Sequence, residues 1–122
     1  MKNIIIIGAG GHAAEIRDYI SHFNQAGKGE EFKVVGFLDD NKANYHHYQF
    51  EEPFLGTINE HLINQELHYI MGIANLAYRE EIVKRFLAMG ATFTGFIHPT
   101  ALVSASAKIG LGTVISHNAS VG

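Results

Sequence analysis

Residues 3–13 read Asn3-Ile4-Ile5-Ile6-Ile7-Gly8-Ala9-Gly10-Gly11-His12-Ala13. Ile4 to Ile7 is an unbroken run of β-branched apolar residues, which suits a strand buried on both faces of a parallel sheet. Gly8, Gly10 and Gly11 follow at once. A helical pattern then begins, with Ala13, Ile16, Ile20 and Phe23 spaced for one face. Strand, glycine turn and helix in that order place backbone N–H groups and a helix N-terminus at the carboxyl edge of a sheet. Such an edge favours anions, phosphates above all. Gly8-x-Gly10-x-x-Ala13 also fits the Ala-ending form of the dinucleotide fingerprint. The same glycines could serve a tight turn for steric reasons alone. The flanking strand and helix favour a phosphate-bearing ligand.

Working outward, the first helix is expected to end near Phe23. Residues 24–31 are polar, carry Gly27 and Gly29, and read as a loop. Lys33 to Leu38 is the second strand, stopped by the acidic turn Asp39-Asp40-Asn41. An Asp at the end of a second strand can hold ribose hydroxyls. Asp39 comes about 26 positions after Ala13, against a usual ~20, and the 24–31 loop can absorb the excess. The alternative is that both carboxylates only start a solvated turn.

Residues 44–52 carry Tyr45, His46, His47 and Tyr48 and read as a solvated loop. Adjacent histidines do not share a helix face, so no metal site is expected there. Thr57-Ile58-Asn59-Glu60 is a capping box, which predicts a short helix from Ile58. His68 to Ile73 is the third strand, leading to the carboxyl-edge loop Ala74-Asn75-Leu76. Tyr78 to Met89 is a second clear helix, with Tyr78, Ile82, Phe86 and Met89 on its apolar face. Arg79, Glu80, Glu81, Lys84 and Arg85 form mostly a solvated face, and Gly90 is placed as the residue after the helix. Thr92 to Ile97 is the fourth strand. This alternation of strands and helices predicts an α/β fold, a Rossmann-like parallel sheet with flanking helices and right-handed crossovers.

Composition narrows the function classes. The chain has 122 residues, 47% of them hydrophobic, enough for a real core. A net charge of −3 implies no broad basic surface for nucleic acid. Without cysteine there are no disulfides and no thiolate metal sites. No apolar run approaches the roughly 20 residues of a membrane span. The first apolar run is too short for a signal peptide, so a cytoplasmic protein is expected.

After residue 96 the period changes. Ile97, Val103, Ile109, Ile115 and Val121 fall at intervals of six. Small residues, Ala101, Ala107, Thr113 and Ala119, sit four places after the first four of these. Neither a strand nor a helix has this period, whereas a parallel β-helix does. Residues 1–96 are therefore read as the Rossmann-like domain and 97–122 as the first hexapeptides of a β-helix. A stack this short needs further layers and a cap, so the chain is expected to be the front part of a longer protein.

The two halves in this order resemble the hexapeptide-repeat acyltransferases of bacterial surface-sugar synthesis. Within that family it most resembles the sialic acid O-acetyltransferases and the N-acetyltransferases of nucleotide-linked 4-amino sugars. The resemblance spans the chain and rests on Ile-Ile-Gly-Ala-Gly-Gly-His at 6–12, Gly-Phe-Leu-Asp-Asp at 36–40, Gly-Ile-Ala-Asn at 72–75 with Arg79, and Ile-His-Pro-Thr-Ala at 97–101. It implies an N-terminal domain holding a nucleotide-linked sugar. It also implies a left-handed β-helix that assembles a homotrimer and holds acetyl-CoA between subunits. By matching positions, Gly10, Gly11 and His12 would approach the sugar and phosphates. Asp39, Asp40 and Lys42 would approach the nucleotide, and Asn75 would line the same cleft. His98 is expected to shape the domain junction.

The family's general base is a histidine with an acidic neighbour in a later coil. His117, between Ser116 and Asn118, does not match that motif and is read as a surface or turn histidine of the coil. No catalytic residue is assigned, and the chain is expected to bind the sugar nucleotide without catalysing transfer. Two other readings stay open: a nicotinamide-binding dehydrogenase fragment, and a non-catalytic sugar-nucleotide-binding module.

Overall fold

A computed structural model of the chain describes residues 1–27 and 31–94, with four short strands beyond them. The elements are β1 (Lys2–Ile7), α1 (Gly11–Ala26), β2 (Phe32–Leu38), α2 (Lys42–Tyr48), β3 (Phe54–Gly56), β4 (His68–Met71), α3 (Leu76–Ala88) and β5 (Thr92–Phe93). They build one five-stranded sheet in the order β3-β2-β1-β4-β5, with every pairing parallel.

β1 lies at the centre, and its isoleucines are shared between two cores because side chains alternate across a strand. Ile4 and Ile6 pack with Ala13, Ile16 and Ile20 of α1 and with Phe37. Ile5 and Ile7 pack with Tyr69, Met71, and Ile82 and Phe86 of α3 on the other face. All four isoleucines are essentially inaccessible to solvent. Helices thus cover both faces, and the strand order reverses at β1. The Rossmann-like parallel sheet expected from the sequence is the observed fold.

Several local expectations are corrected. α1 runs on to Ala26 and closes at Gly27 in the left-handed region, φ 63°. Asn24 holds that last turn, its amide bonding both backbone groups of Phe32 at 2.8 and 2.9 Å. The expected loop over 44–52 is largely the short helix α2. Asn41 caps it, its side chain accepting from the Ala43 N–H at 3.0 Å. Tyr45 anchors α2, with its ring against Phe37, Phe50 and Phe54 and its hydroxyl donating to the Glu52 carbonyl at 2.6 Å. One apolar anchor in seven residues leaves no helical periodicity to read.

The opposite correction holds at 57–60. The Thr57 hydroxyl accepts from the Glu60 N–H at 3.2 Å, as a capping box should, yet no helix follows. The Ile58 and Asn59 N–H groups donate to Asp40 from another loop, at 2.9 and 3.3 Å. The edge strand β3, three residues long, is too short to show a strand pattern in the sequence. The third strand ends at Met71 rather than Ile73.

α3 begins at Leu76 because Asn75 caps it, accepting from the Tyr78 N–H at 3.0 Å. Tyr78 and Met89, expected on the apolar face, are 37% and 44% exposed. Arg85, expected on the solvated face, donates to the Asn59 side chain and the Ile58 carbonyl at 2.8 and 3.1 Å. Beneath α3, the fully buried Tyr69 hydroxyl accepts from the Asn64 N–H and shares a 2.7 Å hydrogen bond with His61 Nε2. Burial pushes the His61 imidazole below its usual pKa and the Tyr69 phenol above its own.

The expected fourth strand is broken. β5 stops at Phe93, and Phe96–Ile97 (β6) pairs elsewhere. β6 runs parallel to β8 (Val114–Ile115), and β7 (Leu102–Val103) runs parallel to β9 (Ser120–Val121). In both pairs the partners are eighteen residues apart. Ile97 is opposite Ile115 and Val103 opposite Val121. The remaining repeat positions Ala101, Ala107, Ile109, Thr113 and Ala119, with His98 and His117, lie outside the described residues.

Candidate functional site

Three loops meet at the carboxyl edge where the strand order reverses: 8–11 after β1, 39–41 after β2 and 72–75 after β4. In open parallel sheets ligands bind at this point.

The glycines here have different physical reasons. Gly8 has φ +105°, and a Cβ on it would lie 2.9 Å from both the Gly72 carbonyl oxygen and Ile73 Cγ1. A Cβ on Gly72 would lie 2.8 Å from Ile6 Cγ2 and 2.9 Å from the Ile7 carbonyl oxygen. These two are glycine because β1 and β4 converge with no room for a side chain. Gly10 differs. It is the N-cap of α1 in ordinary extended backbone, φ −88° and ψ −162°, and makes no side-chain cap bond. A Cβ there would meet nothing within 4 Å. Gly11 opens α1, and a Cβ on it would stand 3.2 Å from the Tyr48 hydroxyl.

The glycine loop is pinned from the side. The Gly8 N–H donates to the Leu38 carbonyl at 2.6 Å, and the Ala9 N–H donates to Asp39 Oδ2 at 2.8 Å. Asp39 Oδ1 accepts from the Asn41 N–H at 2.8 Å. Asp39 therefore ties the turn after β2 to the turn after β1. Asp40 does similar work further out. Its Oδ1 takes the N–H groups of Ile58 and Asn59, and its Oδ2 accepts from the Tyr78 hydroxyl at 2.6 Å. Asn44 Nδ2 also reaches both Asp39 oxygens at 3.5 Å, so with two lone pairs per oxygen Asp39 is filled from within the protein, whereas Asp40 Oδ2 keeps one lone pair open.

The other expected residues share this edge. His12 lies in the first turn of α1, with Nδ1 3.8 Å from Glu15. Lys42 opens α2, with Nζ 5.7 Å from the centre of the Phe54 ring. Asn75 is occupied as the cap of α3. No acidic residue lies in the first turn of α1, so its partial positive charge is not offset there.

Tyr48 and Tyr78 reach the same loops, which nothing local in the sequence signals. Tyr78 is 38 residues from Asp40, and no local pattern signals that pairing. Donating to a carboxylate, and then partial burial, push the Tyr78 phenol up to about 12 from a usual 10. Because its folded pKa is raised, this contact supports folding fully below pH 10 and is lost as pH rises through about 12. Asp40→Asn should bring the Tyr78 midpoint back toward 10. The tyrosinate absorbance difference between each protein and its Tyr78→Phe counterpart reads it. An unmoved midpoint would show that Asp40 is not the hydroxyl's acceptor.

Fold and edge together define a Rossmann-like domain whose central loop presents an uncapped helix N-terminus at the switch point. Residues 3–86 match the PglD N-terminal domain, and the chain belongs to that family. Over 118 residues it is 31% identical to UDP-N-acetylbacillosamine N-acetyltransferase of Bacillus subtilis (strain 168), an alignment covering 94% of this chain and 51% of that protein. Among solved structures it resembles the acetyltransferase domain of PglB from Neisseria gonorrhoeae FA1090 in complex with acetyl coenzyme A. The TM-score is 0.73 at 26% identity, over 98% of this chain and 55% of that one. PerB from Caulobacter crescentus, in complex with CoA and GDP-perosamine, shares the fold with a TM-score of 0.72 at 22% identity, over 100% and 55%. The chain thus spans about half the length of these relatives.

Proposed function

We propose that this chain is the substrate-binding part of an acetyl-CoA-dependent acetyltransferase acting on a nucleotide-linked amino sugar or sialic acid in bacterial surface glycan synthesis. The observation that carries the reading is Gly10. Its backbone and its surroundings admit a side chain, so the fold does not demand a glycine there. A ligand approaching the backbone does. The pyrophosphate of a sugar nucleotide suits the N–H groups at the start of α1. Gly10, Gly11 and His12 are its contacts on this reading. Asp39, Asp40 and Lys42 lie toward the nucleotide, and Asn75 lines the cleft.

In the whole protein, the sugar's amine or hydroxyl would attack the thioester carbonyl of acetyl-CoA and lose a proton to a base as the coenzyme A thiolate leaves. Such a step also needs donors for the developing oxyanion. No residue of this chain is assigned as the base. The eighteen-residue register of β6 with β8 and of β7 with β9 supports a coil of three hexapeptides per turn. We place the start of a left-handed β-helix at 97–122 and, in the whole protein, a homotrimer holding acetyl-CoA. No described helix is long and apolar enough to cross a membrane. A cytoplasmic location fits a soluble sugar nucleotide and acetyl-CoA as substrates.

Calorimetry tests the binding claim. A UDP-linked 4-amino sugar should give saturable heat that unlinked UDP competes away. No heat at millimolar concentration, or a saturable rise in NADH fluorescence without UDP binding, would replace this reading with the nicotinamide-enzyme alternative or a bare scaffold.

A further inference from the structure

We propose that His61 is a proton-operated latch. Neutral, it fastens residues 61–64 to the buried Tyr69 hydroxyl of β4; protonated, it lets go and turns into a hollow beside Glu60. This goes beyond the proposed function and does not depend on it.

The protons around Tyr69 leave one arrangement. Tyr69 is fully buried, and its hydroxyl oxygen accepts from the Asn64 N–H at 3.0 Å. The phenol's own proton needs an acceptor, and His61 Nε2 at 2.7 Å supplies one. Nε2 must then be unprotonated, so the neutral ring carries its proton on Nδ1. A second proton can only go to Nε2. The oxygen would then face two N–H donors, and the buried phenol proton would have no acceptor. A buried donor left unpaired is unfavourable, so the imidazolium is driven from this place.

The surrounding rings act in the same direction. His61 sits edge-on to Tyr69, centroids 5.6 Å apart, and stacks on Phe86 at 6.1 Å. Burial against them holds the imidazole below its usual pKa. Of the charged residues on the packed elements, Arg85 of α3 is turned to Asn59 and the Ile58 carbonyl. Glu60 of the loop accepts from the Thr57 hydroxyl at 3.2 Å. β4 adds His68, which alternates to the face opposite Tyr69. β5, Thr92–Phe93, brings no titratable group. Because the folded pKa lies below the usual 6.5, the contact supports folding fully above pH 6.5 and is lost as pH falls below it.

The released ring has a place to go. His61 is only partly buried and also lines a hollow of about 270 Å³ with Leu55, Thr57 and Glu60. There an imidazolium meets solvent and the Glu60 carboxylate. The movement stops at Ile58, which is 1% exposed and stays held by Asp40 and Arg85. Residues 61–64 therefore open while the edge of the candidate site stays formed.

The test is ring nitrogen NMR on the 122-residue chain. At pH 7.5 His61 should carry its proton on Nδ1, and its titration midpoint should lie below 6.5. Tyr69→Phe removes the donating hydroxyl and should raise that midpoint. Amide exchange of Asn64, relative to the unfolded-chain rate, should quicken about tenfold between pH 7.5 and 5.0, as expected for one lost hydrogen bond. Ile58 should not respond. His61→Gln stays neutral throughout and should abolish the response at Asn64. A proton on Nε2 at pH 7.5 in the parent chain, which needs no variant to fold, would overturn the latch. So would an unchanged Asn64 amide in the parent, or the same quickening in His61→Gln. None of these results would touch the proposed function.

Discussion

Gly8→Ala should cost this chain about 4 kcal/mol of folding stability, lowering its unfolding midpoint by about 15 °C. Two independent penalties meet at that residue. Its φ of +105° is open to glycine and strained for any residue with a Cβ. The new methyl would also lie 2.9 Å from the Gly72 carbonyl oxygen. That oxygen belongs to backbone locked beside β1, because the Gly72 N–H donates to the Ile7 carbonyl at 2.7 Å. Neither partner can swing aside as a surface side chain would. Relief requires parting β1 from β4 at the centre of the sheet, where Ile6 and Ile7 are fully buried. Such a shift breaks close packing on both faces at once. Urea unfolding of the two proteins measures the difference. A loss below about 1 kcal/mol would mean that the loop does not hold this conformation in solution.

That glycine was legible in the sequence, and the reason is instructive. The run Ile4 to Ile7 announces a doubly covered strand, and a glycine immediately after it announces a turn. Both signals are local, and local signals survive without knowledge of the fold. The same holds for Ile16 and Ile20 on α1, and for Ile82 and Phe86 on α3. α2 is illegible for the converse reason. Its helix is held by one tyrosine ring reaching Phe37 and Phe54 across the sheet, and by an Asn cap that also reads as a turn. At 57–60 a correct local signal lost to a distant one. Arg85 took the Ile58 carbonyl, an acceptor that a continuing helix would have needed.

The candidate site divides along the same line. Gly10, Gly11, His12, Asp39, Asp40, Lys42 and Asn75 could all be singled out, because loops that follow parallel strands collect at one edge whatever their length. What each side chain does there could not be read. Asp39 is expected from the sequence to approach a nucleotide, and in the structure it holds the Ala9 N–H. The same expectation falls on Asp40, which in the structure organises a turn eighteen residues on and bonds Tyr78. Tyr48 carried no signal, since its relation to Gly11 exists only once α2 has formed.

Gly10→Ala is the sharpest separation of ligand from fold that this edge allows. Its φ of −88° suits alanine, and no protein atom lies within 4 Å of the added methyl. Alanine is a poorer N-cap than glycine, but it also lowers the entropy of the unfolded chain. These effects oppose each other, so the net change in stability should stay within about 1 kcal/mol. Binding should respond very differently. A phosphate seated on the first N–H groups of α1 comes close to the backbone at residue 10, and the methyl would hold it off. Losing one or more hydrogen bonds to a charged group should weaken a UDP-linked sugar by about 10- to 100-fold. The comparison with Gly8→Ala makes the result hard to misread. One substitution should damage folding through backbone strain and β1–β4 contact, and the other should leave folding nearly intact while emptying the site. If Gly10→Ala bound the UDP-linked sugar as tightly as the parent chain, the phosphates would not rest on this helix. The glycine loop would then be a packing device, and nothing more would follow from its resemblance to a nucleotide fingerprint.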